Sequence, residues 1–555
     1  MGYLLLLLLS SAISAADTLF DNRYNLQQQQ WDFQDRESRQ NQLNKNQFNR
    51  VDPPESDQPV IGPGDTFFIH TIQLDGITKI PARQQAEWTR QFENTALDLQ
   101  AIMQLIGYIN QWYTDNGYTT SRAFLAIDQS LETGTLRIIV EEGSIQDIVN
   151  SRDQPDPSFR FAMPFTGKHL SIRDLEQGLE NLNRHRHNDM KFDIVPAETG
   201  YGSRVIITNT SRVITKNHAT IQYFYETDDD YTWFPDQITL LGDDFFGLSE
   251  QVILLYNQNR INETDQATSV RASASIPYGY WLFDYTYSLF TFNQLFPGGG
   301  LLLATNNYGS NEQNSLGVQR TIHRGQSSKT VARATLGTAN QIQYQNLDYS
   351  EVRSYKKTVG TIGLDYTVYA RHGTGFLSLD YHHGLPWLNG DTDPGDPFIT
   401  EPRLIFSKVT LSTQASISNL FGTRGYYTLN TQHQWTRYTL YPEDGIVLGG
   451  RWGIRGFQGV LSGDYGYYAN HNIIMPVRQS RLSIVCGLDH GTVFSVAGQY
   501  GGTTGEGSLT GGAIGIQYKS FMTTFDLLLA KPLQWPDYIH PDTEIIYATL
   551  TWKWL

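Results

Sequence analysis

The sequence predicts a mainly β membrane protein: an antiparallel transmembrane β-barrel preceded by two small α+β domains. From residue 211 to residue 555 the chain alternates apolar and polar side chains, strand after strand. After the N-terminal leader, no run of about eighteen apolar residues is available for a spanning helix. The composition is rich in tyrosine (32) and glycine (49), and only 17% of residues are charged. Because only closed barrels satisfy strand backbones in lipid, a barrel is favoured over a large secreted β-protein.

The N-terminus divides into three segments. Six consecutive leucines followed by small residues up to Ala16 predict that residues 1–16 are a signal peptide. Residues 17–36 are rich in glutamine and asparagine, and they predict either a polar helix or a disordered segment. A polar helix without an apolar stripe needs polar surroundings, such as a water-filled lumen. Residues 37–65 contain prolines and glycines and are a predicted linker.

Two similar units follow the predicted linker. Residues 66–142 show a strand, two helices and two strands, and one face of the second helix is apolar at Ile102, Leu105, Ile106 and Ile109. Residues 143–210 repeat a similar order around a helix with an apolar face at Leu175, Leu179 and Leu182. The same order at similar length indicates an internal repeat.

The sequence offers few candidates for a metal, catalytic or nucleotide-binding site. His185, Arg186 and His187 follow the helix of the second unit, but they lack partners at ligand spacing and predict a solvated helix end. Spacing indicates neither a Ser/His/Asp constellation nor a nucleotide-binding loop. A balance of 41 basic and 56 acidic residues gives a net charge of −15, which argues against nucleic acid as a partner. We therefore predict no enzyme activity, no metal and no cofactor.

The second half of the chain carries the barrel pattern most clearly in three places. In these places the apolar residues occupy alternate positions, with mostly polar residues between them: 377, 379 and 381; 409, 411, 415 and 417; and 546, 548, 550, 552 and 554. A membrane strand needs about 9–11 residues, so sixteen strands of roughly ten residues leave more than half of residues 211–555 for turns and loops. A barrel of that size has a lumen wide enough for an extended polypeptide.

Two glycine-rich motifs in this half each hold an isolated charge. The first is a loop that ends in Ile454, Arg455, Gly456 and Phe457. The second places an aspartate between two glycines at the end of an apolar strand: Gly487, Asp489 and Gly491. Glycines let two backbones approach closely, so the arginine and the aspartate can form a charge-assisted pair if the loop folds into the barrel. The alternative is two unrelated turns with solvated charges.

Taken together, the order of segments resembles the two-partner secretion transporters of the outer membrane (TpsB type). This family includes haemolysin secretion/activation proteins and exporters of contact-dependent inhibition toxins. The resemblance covers nearly the whole mature chain, through motifs at 183–184, 196, 200, 202–203, 275–281, 449–457, 463–466 and 487–491. It implies a sixteen-stranded barrel over residues 211–555, POTRA domains at 66–142 and 143–210, and a plug helix within 17–36. By position, it also implies that Arg455 at the tip of an inner loop bonds Asp489 on the barrel wall.

The resemblance implies a function as well. The expected protein is an outer-membrane pore, a monomer with periplasmic POTRA domains, that moves a large unfolded exoprotein to the cell surface. The exoprotein would be bound through its N-terminal secretion domain, and outer-membrane lipid and the barrel assembly machinery would be further partners. Two alternatives remain: a barrel insertase, whose relatives usually carry three or more POTRA units, and a passive porin, which needs no such domains. Leu555 departs from the family, which usually ends in an aromatic residue.

Overall fold

A computed structural model describes most of the chain. The described residues are 27–43, 66–127, 129–197, 202–211, 215–226, 236–262, 265–296, 305–351, 353–393, 401–420, 422–457, 460–478, 480–497 and 506–554. The predicted signal peptide, the start of the predicted plug segment and most of the predicted linker lie outside them. Within the described ranges, no helix combines the length and the apolar character needed to cross a bilayer.

The first described element is helix α1, over residues 27–43. It continues beyond Arg36, where the sequence pattern placed its end, so the first residues of the predicted linker are helical. Leu43 is buried against Tyr369 and Phe376 of the barrel, and this apolar contact supports the last turn. The polar sequence around Leu43 gives no local sign of that contact, which explains why the predicted boundary was too early.

The first α+β domain contains the predicted strand, two helices and two strands, together with a short two-stranded ribbon. Its elements are β1 Phe67–Ile69, β2 Thr71–Asp75, α2 Ala82–Phe92, β3 Thr95–Leu97, α3 Leu99–Asp115, β4 Arg122–Leu125, a 3-10 turn Leu131–Thr133 and β5 Thr135–Glu141. The main sheet has the order β2-β5-β4, and β1 pairs with β3. Asp98 caps α3 by accepting a hydrogen bond of 2.8 Å from the amide of Ala101. The apolar face of α3 packs on this sheet as the core.

The second α+β domain repeats the plan in a shorter form. It consists of β6 Ile145–Asn150, α4 Pro157–Ala162, α5 Ile172–Asn183, β7 Met190–Pro196 and β8 Ser203–Asn209, with sheet order β6-β8-β7. The short helix α4 was not predicted. Asp156 caps it, and Pro157 occupies its first turn, where a missing amide hydrogen costs nothing. Phe159 and Ala162 of α4 bury against α5 and the sheet.

In the described residues, sixteen antiparallel strands form a closed barrel, in which the last strand pairs with the first. They are β9 Asn217–Glu226, β10 Gln237–Asp243, β11 Gln251–Asn262, β12 Asp265–Tyr278, β13 Trp281–Phe296, β14 Thr305–Arg324, β15 Ser328–Gln345, β17 Tyr355–Ala370, β18 Gly373–Leu385, β19 Ser407–Leu420, β20 Gly425–Thr436, β23 Tyr465–Pro476, β24 Leu482–Phe494, β25 Gly507–Lys519, β26 Thr523–Gln534 and β27 Ile545–Trp554. A short strand, β16 Asp348–Tyr349, extends the pairing of β15. Closure leaves this sheet without a free edge, as a spanning structure requires.

The two faces of the barrel wall have the expected polarity. On β18, Leu377, Leu379 and Tyr381 are 39–45% exposed, whereas Phe376 and Ser378 at the alternate positions are 6% and 4% exposed. Elsewhere the buried side of the wall is largely polar, with Asn257, Ser269, Gln294, Asn311, Gln341, Gln414 and Gln434. An exposed apolar face and a buried polar face reverse the pattern of a soluble sandwich and match a barrel with lipid outside.

The long connection between β20 and β23 folds inward, where it forms a small ribbon of its own. It contains the turn Pro442–Asp444 and the paired strands β21 Ile446–Gly449 and β22 Val460–Gly463. All four residues of β21 are buried. We call residues 437–464 the inner loop.

Candidate functional site in the barrel lumen

Arg455 lies at the tip of the inner loop and binds Asp489 on β24. The guanidinium donates from Nε to Oδ2 at 2.6 Å and from Nη2 to Oδ1 at 2.7 Å. The backbone amide of Arg455 donates a third hydrogen bond to Oδ2, at 3.1 Å. Asp489 is 0% exposed, so its charge has left water, and among the residues that the structure describes Arg455 is its ion-pair partner.

Glycines make room for this pair. A Cβ on Gly487 would lie 2.2 Å from Nη2 of Arg455, and one on Gly511 would lie 1.8 Å from its carbonyl oxygen. Gly456 has a φ of +95°, in the left-handed region that favours glycine. Gly491 faces Leu448 of the inner loop, with a Cβ position 2.7 Å from Cδ2. The loop tip therefore lies directly against the backbone of the wall.

The other members of the two predicted motifs surround the ion pair. Ile454 and Phe457 are buried in one apolar cluster with residues of the loop and the wall: Ile446, Leu448, Leu461, Tyr468, Val493 and Leu509. The amide of Gly456 donates to the hydroxyl of Tyr547 at 3.3 Å, which joins the tip to the last strand. The structure thus brings the residues of both motifs together at one place in the lumen.

Arg451 was not singled out from the sequence, yet it spans the seam where the barrel closes. Its guanidinium donates to the carbonyl of Tyr225 on β9 at 3.1 Å and to the carbonyl of Ala548 on β27 at 2.5 Å. Tyr225 and Ala548 are register partners across that seam. Nη2 of Arg451 also donates to the hydroxyl of Thr549 at 2.7 Å. The sequence offers no specific signal for these contacts, because two acceptors are backbone carbonyls and the third is a single threonine hydroxyl.

The stem of the inner loop is fixed by two lysines, of which Lys357 is buried and Lys408 is half-buried. Lys357 on β17 donates to Asp444 at 2.7 Å and to Glu443 at 2.8 Å. Lys408 on β19 donates to the carbonyl of Asp444 at 2.6 Å, and Gln434 donates to the same oxygen at 2.9 Å. The sequence indicated this contact only through the positions of the two lysines, which lie on the lumen-facing side of barrel strands. A charge shielded from water there needs a partner.

Helix α1 crosses the lumen and contacts widely separated strands. Gln30 and Gln34 both donate to Gln237 on β10, at 2.7 and 2.6 Å. Arg36 donates to the hydroxyl of Tyr468 on β23 at 2.9 Å. Asp35 pairs with Arg271 on β12 at 3.3 Å, and Gln40 donates to Thr374 on β18 at 3.1 Å. Contacts with four strands spread around the ring place the helix inside the barrel.

The helix also contacts the inner loop. The rings of Phe33 and Trp452 lie 4.4 Å apart, and Gln29 donates to the carbonyl of Val447 at 3.2 Å. Apart from such ring contacts and two buried apolar residues, Trp31 and Leu43, the helix is bound to its surroundings through polar side chains. The lumen therefore contains two elements that touch each other and the wall.

Comparison with known proteins identifies the architecture. The model of the family described as haemolysin secretion/activation protein ShlB/FhaC/HecB matches residues 236–518, about half of the chain. The chain belongs to this family. A ShlB-type POTRA domain matches residues 67–143, and a second POTRA domain matches residues 144–196. The two α+β domains are therefore POTRA domains.

Individual relatives are similar to this chain along most of its length. Outer membrane transporter CdiB from Dickeya dadantii (strain 3937) is 26% identical over 520 residues, which are 92% of this chain and 90% of the relative. Hemolysin transporter protein HpmB from Proteus mirabilis is 27% identical over 447 residues, 78% of this chain and 76% of the relative. The solved structure of CdiB from Escherichia coli has the same fold, with a TM-score of 0.84 and 24% identity over 95% of this chain and 98% of that chain.

As a member of the ShlB/FhaC/HecB family, this protein is an outer-membrane transporter of the two-partner secretion type, with its POTRA domains in the periplasm. The predicted family, fold class, transport function and location are thereby confirmed.

In this ShlB/FhaC/HecB member, the second POTRA domain packs closely on the periplasmic turns of the barrel. Asn181 on α5 donates to the carbonyl of Gly279 in the β12–β13 turn at 2.7 Å. Glu180 binds Arg324 and Lys329 at the β14–β15 turn. Burial raises the pKa of Glu180, but the charges of Lys329 and Arg324 outweigh it and lower that pKa to about 2. The carboxylate thus stays ionised and joins the two domains.

The predicted solvated helix end at residues 185–187 of this transporter is wrong. His185 is 1% exposed, and its Nε2 lies 3.1 Å from the carbonyl oxygen of Ser249, before β11. Burial lowers the pKa of His185, which favours the neutral imidazole. His187 is 9% exposed and lies against Asp243 on β10. These contacts come from residues about sixty positions later in the chain, which local spacing does not reveal.

Proposed function

We propose that this transporter moves one large unfolded exoprotein from the periplasm to the cell surface, through the barrel lumen and as a monomer in outer-membrane lipid. One observation carries the proposal. The lumen of the closed barrel holds two elements, α1 and the inner loop, that are not part of the wall. A passive porin has no use for a helix across its channel, whereas a transporter for an occasional large cargo needs a channel that is closed between events.

The proposed role of α1 is a removable plug. Its contacts with Gln237, Thr374 and Tyr468 are side-chain hydrogen bonds in a polar lumen. Such bonds contribute only about 0.5–1.5 kcal/mol each, because water replaces them when they break. Trp31 and Leu43 add apolar contacts, but a helix held mainly by polar side chains leaves more readily than one held by an apolar core. We infer that α1 vacates the lumen before the exoprotein enters.

The proposed role of the Arg455–Asp489 pair is to keep the inner loop in the position that permits secretion. Both charges are buried, and each satisfies the other through the guanidinium fork. Removing one partner of such a pair leaves an uncompensated charge, at a cost of about 3–5 kcal/mol. The loop would then leave its place against β24 and obstruct the path of the cargo.

The proposed capture site is the sheet edge of the first POTRA domain. Strand β4 pairs only with β5 in the described sheet, so its other edge is available to an extended segment of the partner. Phe124 on this strand is 47% exposed, and Ile127 just beyond it is 94% exposed. Backbone pairing with apolar side chains beside it suits the N-terminal secretion domain of an unfolded exoprotein. The named relatives suggest a haemolysin or a contact-dependent inhibition protein as the cargo class.

Two further parts of the proposal concern assembly and chemistry. The terminal strand presents Trp552 and Trp554 on its exposed face, which suits recognition by the barrel assembly machinery during insertion. We also propose that transport involves no catalytic step, and that folding of the cargo outside the cell biases its movement.

The proposal is tested first by examining the neighbouring genes and then by a secretion assay. We expect a neighbouring gene for a very large exoprotein with a haemagglutinin-type N-terminal secretion domain. Co-expression of that gene with this transporter should deliver the exoprotein to the surface or the medium, where added protease digests it. Deletion of residues 66–142 should abolish delivery while the barrel still inserts. Equal delivery in cells that lack the transporter would overturn the proposal.

A further inference from the structure

Three potential metal ligands meet where the second POTRA domain contacts the barrel rim. His187 follows helix α5, His218 lies near the periplasmic start of β9, and Asp243 ends β10. All three are buried, and their ligand atoms lie within 4.8 Å of one another. One ligand therefore comes from the POTRA domain and two come from the barrel.

His218 provides a second and independent observation. It is 4% exposed, and among the described residues neither of its ring nitrogens has a hydrogen-bond partner. A buried polar group without a partner costs about 1–3 kcal/mol, so such groups are rare in folded proteins. An imidazole with both nitrogens unsatisfied, beside another imidazole and a carboxylate, indicates a missing partner.

The ligand set and its surroundings suit a transition-metal ion. Two imidazoles and one carboxylate with an open fourth position form a common zinc ligand set. Nδ1 of His187 is 3.4 Å from Oδ2 of Asp243, close to the roughly 3.3 Å between ligand atoms around a tetrahedral zinc ion. To complete the site, a ring nitrogen of His218 needs to come closer by up to about 1.5 Å, from within 4.8 Å to roughly 3.3 Å of the other ligand atoms.

Neighbouring groups orient the carboxylate as outer-shell partners do in metal sites. Oδ1 of Asp243 accepts a hydrogen bond from Gln251 at 3.0 Å, and Oδ2 accepts one from the backbone amide of Arg186 at 3.1 Å. The charges of Arg184 and Arg186 are also close enough to act on this cluster. These positive charges disfavour Ca²⁺ or Mg²⁺, which proteins bind mainly through negatively charged oxygen ligands. A transition-metal ion is disfavoured less, because it also forms bonds to imidazole nitrogen.

We propose that His187, His218 and Asp243 bind one zinc-class divalent ion that fastens the second POTRA domain to the barrel rim. The ion would fix the angle between the domain and the pore, and its removal would loosen this junction without opening the barrel. This inference is independent of the identity of the cargo.

The test uses the full chain, purified in detergent without a histidine tag and stripped with a chelator. After incubation with Zn²⁺ and removal of free metal, elemental analysis should find one zinc per chain. Co²⁺ in its place should give the visible absorption of a tetrahedral site. His218→Gln and Asp243→Asn should each lose the bound zinc and the cobalt spectrum. His323→Gln, at an exposed histidine beside the β14–β15 turn, should keep both.

Folding is monitored separately, because a variant that fails to fold would also lose metal. Folded barrels migrate differently from heated ones in detergent gels, and all variants should retain this shift. Stoichiometric zinc in folded His218→Gln and Asp243→Asn would overturn the proposal, as would no stoichiometric zinc in the unaltered protein.

Discussion

Gln40 of helix α1 donates a hydrogen bond of 3.1 Å to Thr374, a residue 334 positions later on strand β18. This contact lies near the C-terminal end of the helix, whereas Gln30 and Gln34 contact Gln237 on β10. The helix is therefore bound to separate parts of the wall along its length, and each attachment can be tested.

Tying α1 to the wall should stop secretion reversibly. In a Cys486→Ser background, which removes the single and exposed native cysteine, Gln40→Cys and Thr374→Cys can be joined with a short reducible thiol cross-linker. We expect the joined protein to keep low ion conductance in planar bilayers and to secrete no exoprotein, because the helix cannot leave. Reduction should restore secretion. Gln40→Cys alone, treated with the same reagent, is the control. Secretion by the joined protein would contradict the plug role.

Arg455→Ala should cut secretion at least tenfold while a folded barrel remains in the membrane. The reason is the uncompensated charge of Asp489, which costs about 3–5 kcal/mol locally. Arg455→Lys should also be impaired, since a lysine cannot reproduce the two-pronged contact. Exoprotein in the medium, normalised to heat-shifted barrel in the membrane, is the measurement. Arg437→Ala changes an exposed arginine of the same inner loop and should secrete normally. Normal secretion by Arg455→Ala would refute the proposed role.

Gly487→Ala should reproduce the Arg455→Ala defect without removing any charge. The added methyl group would lie 2.2 Å from Nη2 and 2.6 Å from Cζ of Arg455, so the guanidinium has to move away from Asp489. Gly337→Ala is a matched control on β15, where the nearest atoms lie 3.8 Å from the added carbon. The same secretion assay compares the two. If both variants secrete equally well, close packing at Gly487 is not required.

Arg451→Ala should weaken the seam of the barrel. The substitution removes hydrogen bonds from the charged guanidinium to the carbonyls of Tyr225 and Ala548 and to the hydroxyl of Thr549, at about 1.5–3 kcal/mol each. We expect the temperature at which half of the protein loses its folded gel mobility to fall. Arg451→Lys keeps the charge but has one donor group instead of a planar fork, and an intermediate temperature is expected. An unchanged midpoint in Arg451→Ala would show that the seam does not depend on this residue.

Phe124→Ser should weaken capture of the exoprotein without altering the pore. Phe124 is an exposed aromatic residue beside the β4 edge, and the bound partner would cover it. Burial of such a side chain contributes about 1.5–3 kcal/mol to the binding free energy, so its loss should lower the affinity at least tenfold. The measurement is binding of the isolated secretion domain to the full transporter in detergent. Phe68→Ser changes a similarly exposed aromatic on β1 and should bind normally. If both variants bind the secretion domain with equal affinity, the capture site is not at the β4 edge.

Local patterns in the sequence were enough to predict much of this architecture. The apolar face predicted for the second helix is the buried face of α3, and the alternation on β18 and β27 matches their exposed and buried faces. The arginine and aspartate motifs indicated a close contact because glycines flank both charges. In each case the residues that predict the helix face, the strand face or the motif lie within a few positions of it in the sequence.

Features that depend on closure of the barrel were not predictable in this way. The last turn of α1 is supported by Tyr369 and Phe376, and Arg451 binds backbone carbonyls on two distant strands. His187 was assigned to solvent because Asp243 and His218 join it only when the second POTRA domain meets the rim. Polar residues with long-range partners leave no periodic trace in the sequence.

Helix α1 and the first POTRA domain belong to one polypeptide, joined by residues 44–65. At about 3.3–3.6 Å per residue, that connection limits how far an expelled helix can travel to roughly 75 Å. A tethered helix thus remains at a high effective concentration near its own channel, unlike a separate blocking subunit. If α1 is the removable plug that we propose, resealing after each passage is an intramolecular event, independent of how many transporters the membrane contains, and the barrier returns without a second molecule.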